Sequence, residues 1–507
     1  MKSITKNLLI LGLVLLGVAC TDLEETLNED LTQGEADEFF NENADVSSLL
    51  QSAYFGLRGF QSQEFFWALQ EHTSDEVIPP TRGPDWDDNG VWRVLHDHTW
   101  PADNVRFEDT FNQLLQNVFT TTNILTFNTN TQQAAEARFI RAFTMLALVD
   151  GWGKVPFREP GDNLLEPPRV LTGAEAVDFI ISEVEDILPD LPADGPAYQA
   201  NQDAARVLLM KAYLNKGAFA NRENPTFDQA DMNQVITLAD EIINSGKYSL
   251  AENYFDNFAP NNDAISTENI FTGENRGGAN AGNVRSRWMC TLHYNQNPSG
   301  WNGFATIADL YNKFDADDAR LNAEYPGVTD VSGLRVGLLQ GQQVDADGNP
   351  LEDRRGNPLD FTVDVALTET GDNLEVTGVR VVKYPIDYTN TENADNDYVF
   401  YRYADVLLMK AEALLRNGNA GEALTIVNEI RTQRGVEAFA ELTEDNLLDE
   451  RARELYWEGH RRQDLIRFGK FLDEWTAKPA SGPERLLFPI PPAALAVNPN
   501  LSQNPGY

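Results

Sequence analysis

Trp86 stands in a polar, glycine-bearing loop that runs from Arg82 to Asn89, where a buried indole is not expected. Trp288, His293, Tyr294 and Trp301 cluster in a second stretch rich in Asn and Gly. Flat aromatic faces held in loops, with fixed polar groups beside them, are the parts of a small-ligand site. Other constellations carry less. His96-x-His98 offers two metal ligands, but no third lies nearby, and a structural pair is the better reading. Asp345-x-Asp347-Gly-Asn349 lacks the closing Glu of a calcium loop and reads as a hairpin turn. Gly273 to Gly282 is glycine-rich without the Gly-Lys-Ser/Thr ending of a phosphate loop. There is no Gly-x-Ser-x-Gly elbow, no His-Glu-x-x-His and only five His, so esterase and metallopeptidase chemistry lack their parts. A glycoside hydrolase needs two carboxylates about 5–10 Å apart. The 79 acidic residues neither exclude nor locate such a pair.

Charge and termini narrow the setting. With 39 basic against 79 acidic residues the net charge is −40, a surface that repels nucleic acid and anionic headgroups. Lys2 and Lys6 precede an apolar run from Leu8 to Ala19, too short to cross a bilayer as a helix, which takes roughly 20 residues. It reads as a signal-peptide core over residues 1–19. Val18-Ala19 directly before Cys20 resembles a bacterial lipobox, although Gly17 stands where Leu is usual. Cys20 is therefore the expected lipidation site, followed by a flexible tether over 20–33. The only other cysteine is Cys290, so an exported chain of 507 residues must rely on its core and not on disulfides.

The elements that must position the aromatic loops are mainly helical. Val207-Leu-Leu-Met-Lys-Ala212 recurs letter for letter as Val406-Leu-Leu-Met-Lys-Ala411, and each copy precedes a second helical stretch. Further helices are expected over Gln133–Val149, Ala174–Leu188 and, as one long element, Glu444–Arg462. Helix pairs of this kind stack because one pair cannot bury its own apolar face. Between about Tyr248 and Asn396 helical periodicity fades. Turn signals at Asp347-Gly348 and Arg355-Gly356-Asn357 and a strand over Val376–Tyr384 mark an irregular insertion. The expected division is a single domain over 34–507, with a helical part at 34–247, the insertion at 248–396 and a second helical part at 397–507. Trp67, Trp92 and Trp100 are expected in the core, and Trp152, Trp457 and Trp475 in structural roles.

Several segments, in order across nearly the whole chain, resemble the SusD family (RagB/SusD). They are Thr73-Ser-Asp-Glu76, Thr81-Arg-Gly-Pro-Asp-Trp86, His96-Asp-His-Thr-Trp100, Glu136-Ala-Arg-Phe-Ile-Arg-Ala142 and Trp152-Gly-Lys-Val-Pro156. Nearer the C-terminus come Tyr401-Arg-Tyr-Ala-Asp405, Glu450-Arg-Ala-Arg-Glu-Leu455, Arg461-Arg-Gln-Asp-Leu465, Phe488-Pro-Ile-Pro-Pro492 and Asn498-Pro-Asn-Leu-Ser-Gln-Asn-Pro-Gly506. The resemblance implies a mainly α, tetratricopeptide-like scaffold with a large loop and β-hairpin insertion. It implies an outer-membrane, cell-surface lipoprotein that captures an oligo- or polysaccharide for a SusC-like TonB-dependent transporter and does not hydrolyse it.

It also implies a site in which Trp86, Trp288, Tyr294 and Trp301 stack on sugar while Arg82 and Asn89 read hydroxyls. No cofactor is implied, and a structural calcium is compatible with so acidic a chain. The net charge favours a neutral glucan such as laminarin or starch, with laminarin ahead if the habitat is marine, unless Arg276, Arg285 and Arg287 form a local patch for an anionic glycan. A surface hydrolase, and a transporter lid that binds peptide or another nutrient, are the alternatives.

Overall fold

The computed structural model describes residues 44–279 and 281–507. The chain divides into two units, Met1–Ala44 and Asp45–Tyr507. The leader over 1–19, Cys20, the tether over 20–33 and the domain start at residue 34 lie outside the described residues.

The second unit begins with α1 (Val46–Gly56) and α2 (Phe66–Glu71). A run of antiparallel helices follows: α3 (Val105–Ile124), α4 (Thr131–Trp152), α5 (Gly173–Ile187), α6 (Gln202–Ala220) and α7 (Gln229–Asn244). Their ends are written locally. Asn130 and Gln133 form a reciprocal capping box at the start of α4, and Gly153, at φ 65°, ends it. A small hairpin, β1 (Lys154–Phe157) with β2 (Arg169–Thr172), joins α4 to α5. Each helix packs on the next, and α7 packs on α8 (Tyr403–Arg416), which in turn packs on α9 (Ala420–Gln433).

The repeated hexapeptide thus lies in α6 and α8, and its lysines show how the copies interlock. Lys211 places its Nζ 2.7 Å from Asp405 in the interior. Its counterpart Lys410 reaches Asp240 on α7, also at 2.7 Å, at the rim. Alternate burial of equivalent positions is what stacking of a repeat produces.

The stretch between the repeats is built from short strands and turns. In it, β3 (Asn269–Gly273) pairs antiparallel with β6 (Tyr398–Arg402), which leads straight into α8. Antiparallel β4 (Val336–Leu339) and β5 (Arg380–Val382) form the other main ladder, so the strand expected over Val376–Tyr384 is shorter than its apolar pattern. Both turn signals hold. Asp345 accepts the backbone N–H groups of Asp347 and Asn349, and Asp353 those of Arg355 and Asn357. Gly348 and Gly356 supply the positive φ of each turn.

One helix differs from expectation. The element expected over Glu444–Arg462 is two helices, α10 (Glu444–Leu455) and α11 (Arg461–Arg467). The break is held by two buried carboxylates near the end of α2. Glu76 accepts the N–H of Trp457 at 3.0 Å, and Glu71 accepts that of Gly459 at 2.6 Å. With Trp457 at φ 60° and Gly459 at φ 83°, the chain turns there. His460, Arg461 and Arg462 therefore open a new helix instead of closing an old one.

Behind the helices lies a buried ion network. Arg402 reaches Glu268, Glu454 and Glu458, and Arg434 reaches Glu268 and Glu454. Arg320 reaches Asp318, Glu450 and Glu454, all at 2.7–2.9 Å. Among the described residues no helix is long and apolar enough to cross a membrane.

Candidate functional site

Two loops meet at one surface. The first carries Asp85, Trp86 and Asn89; the second runs from Met289 to Phe304. The second loop is folded back on itself by backbone bonds from Trp301 to Met289 (2.7 Å), from Asn302 to Leu292 (2.8 Å) and from Gly303 to Cys290 (2.8 Å). Trp86, at φ 61°, lies across this fold and donates its indole N–H to the carbonyl of Trp301 at 2.8 Å. The approach is close enough that a Cβ on Gly303 would stand 2.2 Å from the Trp86 ring. Only glycine lets the indole rest on the backbone there.

Trp86 and Trp301 present two faces tilted 43° to each other, with ring centroids 6.4 Å apart. Trp301 is 38 % exposed and Trp86 is half-buried. Beneath them Phe304 touches Trp86 at 4.8 Å, Trp92 at 5.6 Å and Trp67 at 6.3 Å, so the platform stands on the aromatic core. Beside it the Arg354 guanidinium lies 3.9 Å over the ring of Tyr294. The Tyr294 hydroxyl donates to Asp85 at 2.8 Å, and burial together with Asp85 pushes it up to about 12. Arg354 also bonds Glu375 at 2.6 Å and Asp85 at 3.2 Å. Burial raises the Glu375 carboxyl, yet His293, at 2.9 Å, and Arg354 together hold it below the usual carboxylate range.

Trp86, Trp301 and Tyr294 thus share the loop surface, and Asn89 lies exposed in the loop that carries Trp86. Two expected site residues do not. Arg82 is buried and spends its guanidinium on the Leu374 carbonyl and on the hydroxyl and carbonyl of Thr377, at 2.6–2.7 Å. With Arg380, which reaches the carbonyls of Glu375 and Gly378, it pins the loop that carries Glu375. Burial lowers Arg82 to about 10. It positions a loop and cannot read a hydroxyl at the surface.

Trp288 is wholly buried, because the short helix Ser286–Met289 turns its side chains into the core. The arginine patch also fails to form. Arg287 is buried with its guanidinium 3.4 Å over Trp67, Arg276 pairs with Glu274, and Arg285 pairs with Glu392.

Sequence reading missed Arg354, Glu375, Phe304 and Gly303. Arg354 lies 269 residues from Asp85, a separation across which spacing carries no signal. Phe304 and Gly303 directly follow the aromatic cluster, and that adjacency was the available hint.

The histidine pair is structural. His96 bonds the carbonyls of Val77 and Thr476, and His98 bonds the Thr73 carbonyl and the Ser481 hydroxyl. Among the described residues no group of three or more His, Cys, Asp or Glu could hold a metal ion. Trp67, Trp92, Trp100, Trp152 and Trp457 are buried, and Trp475 is half-buried against Phe471 and His98.

The fold is a stack of packed helices, with one tryptophan of the aromatic pair on the loop at residues 82–89 and the other on the inserted stretch. Residues 240–484 match the SusD family. It is 29% identical over 421 residues to the starch-binding protein SusD of Bacteroides thetaiotaomicron, covering 74% of this chain and 73% of that one. A SusD superfamily protein of Parabacteroides distasonis has the same fold, with a TM-score of 0.71 and 20% identity over 94% of this chain and all of that one. So has surface glycan-binding protein A of Bacteroides thetaiotaomicron in complex with laminarihexaose (TM-score 0.67, 18% identity, 90% of this chain and 98% of that one).

Proposed function

We propose that this protein captures a neutral oligo- or polysaccharide at the cell surface and delivers it to a SusC-like TonB-dependent transporter. A lipid on Cys20 then holds it to the outer membrane. The observation that carries the reading is the pair of exposed Trp301 and half-buried Trp86, backed by Phe304, beside Tyr294. Sugar C–H faces stack on such rings, and faces tilted by 43° suit a glucan that turns along its length. The relatives named for starch and for laminarihexaose support the same ligand class. The absence of a formed Arg276/Arg285/Arg287 patch favours a neutral glycan over an anionic one.

Binding without hydrolysis fits the carboxylates at the platform. A general acid must keep its proton near neutral pH, whereas Glu375 is held below the usual carboxylate range and both it and Asp85 are tied to Arg354. The test is Trp301→Ala, alone and with Trp86→Ala, on native gels containing laminarin or starch. Retention should fall at least tenfold, which corresponds to about 1.4 kcal/mol. Unchanged retention would remove the platform from the ligand, and release of reducing ends by the purified protein would restore the hydrolase.

A further inference from the structure

A second groove, of about 590 Å³, opens on the helical scaffold and shares no residue with the platform. It is lined from α1, the start of α4, the segment at Tyr198-Gln199 and the end of β3. Its size falls within the range of small-ligand sites. The carboxylates in it are engaged by neighbouring side chains. Glu136 accepts from the Tyr54 hydroxyl at 2.6 Å, from Gln132 at 2.8 Å and from Gln199 at 3.0 Å. Glu274 pairs with Arg276 at 2.8 Å, and Arg58 donates to the Glu274 carbonyl at 3.1 Å.

Beside these groups a ligand would meet amides such as the exposed Gln51, and the rings of Phe55 and Tyr198. Each of those rings carries a guanidinium, Arg58 at 4.3 Å from Phe55 and Arg276 at 5.6 Å from Tyr198. Amides that both donate and accept, beside aromatic rings and with the Glu136 carboxylate already holding three hydrogen bonds, suit a polyhydroxylated molecule.

We infer that this groove is a second saccharide subsite, able to hold a neutral glucan independently of the platform. The inference shares its ligand class with the reading above and none of its residues. Two sites on one chain would raise retention of a long polysaccharide well beyond that of a short oligosaccharide.

The experiment is calorimetric titration of the full chain with laminarihexaose and with maltohexaose, on wild type, Trp301→Ala, Gln51→Ala/Tyr198→Ala and the triple variant. A thermal melt of each variant confirms that it is folded. The expected result is two sites in the wild type, one in each of the two partial variants and none in the triple variant. A Gln51→Ala/Tyr198→Ala protein that titrates like wild type would overturn the groove and leave the platform standing. Loss of all binding in that variant, with Trp301→Ala unaffected, would keep the groove and overturn the platform. No heat with either sugar in any protein would overturn both.

Discussion

Arginine meets carboxylate in two regions of this protein, with different consequences. In the scaffold Arg320, Arg402 and Arg434 are fully buried among Glu268, Glu450, Glu454 and Glu458. At the platform Arg354 is half exposed between Asp85 and Glu375, over the face of Tyr294. The pairing chemistry is the same and the surroundings differ. In the interior a lost partner leaves a charge with nothing to solvate it. At the surface water replaces the partner, and the pair contributes little beyond holding a ring in place. The difference teaches that the scaffold's charges hold the fold while the platform's charges orient the site.

Removing one member of the network should have the largest effect. Arg402→Ala removes the guanidinium shared by Glu268, Glu454 and Glu458, leaves the buried network with more negative than positive charge and should cost about 3–5 kcal/mol of stability, although Arg434 and Lys383 still reach those carboxylates. Urea unfolding would measure it, and a cost below 1 kcal/mol would erase the contrast with the platform.

Gly303→Ala should do the opposite. Its Cβ displaces the Trp86 ring from the backbone, so glucan retention should fall about as far as in Trp301→Ala, with the scaffold's melting temperature little changed. Arg354→Ala should be milder. It frees the Tyr294 ring, and a cation–π contact at an exposed site is worth about 0.5–1 kcal/mol, so affinity should drop roughly two- to fivefold. An unchanged affinity would show that Tyr294 is held by Asp85 alone.

pH should sharpen the comparison least, by a few degrees of melting temperature. Burial opposes the charge of Glu450 and Asp464, but their guanidinium partners prevail and hold both at about 2. Their contribution is therefore present above the unfolded carboxylate range, near 4, and is lost as pH falls toward 2. Burial raises Glu71 and Asp397 to about 7, so their contribution is present below about 4 and is lost as pH rises through 7. The melting temperature should peak near pH 4–5 and decline on both sides, as calorimetry from pH 2.5 to 8 would show. A steady rise up to pH 8 would contradict the burial of Glu71 and Asp397.

Much of the fold was legible because its signals are local. The repeated hexapeptide announces two equivalent helices, Asn417-Gly418 ends α8, and Asp-Gly and Arg-Gly-Asn mark the turns. The motifs that carry the family resemblance supply much of the buried network, since Arg402, Glu450 and Glu454 all lie within them. Their recognisability reflects the scaffold more than the ligand. The site was legible only in part. Trp86, Tyr294 and Trp301 were picked out as aromatics in polar loops, and the same rule led wrongly to Trp288. Polarity of the neighbours does not say which way a short helix turns its side chains.

By itself the sequence determined the helical periodicity, the caps and turns, the aromatic content of two loops and the strong negative charge. Each of these depends on residues within a few positions of one another or on a simple sum. The tertiary structure alone decided that α10 and α11 are two helices, because the carboxylates that hold the break, Glu71 and Glu76, come from the end of α2 and the segment after it. It decided that Arg82 faces inward to Thr377 while Arg354 faces outward over Tyr294. It also brought Trp86 onto Gly303, a contact between residues more than two hundred positions apart. Hydrogen bonds and packing act over a few ångströms of space and are indifferent to distance along the chain.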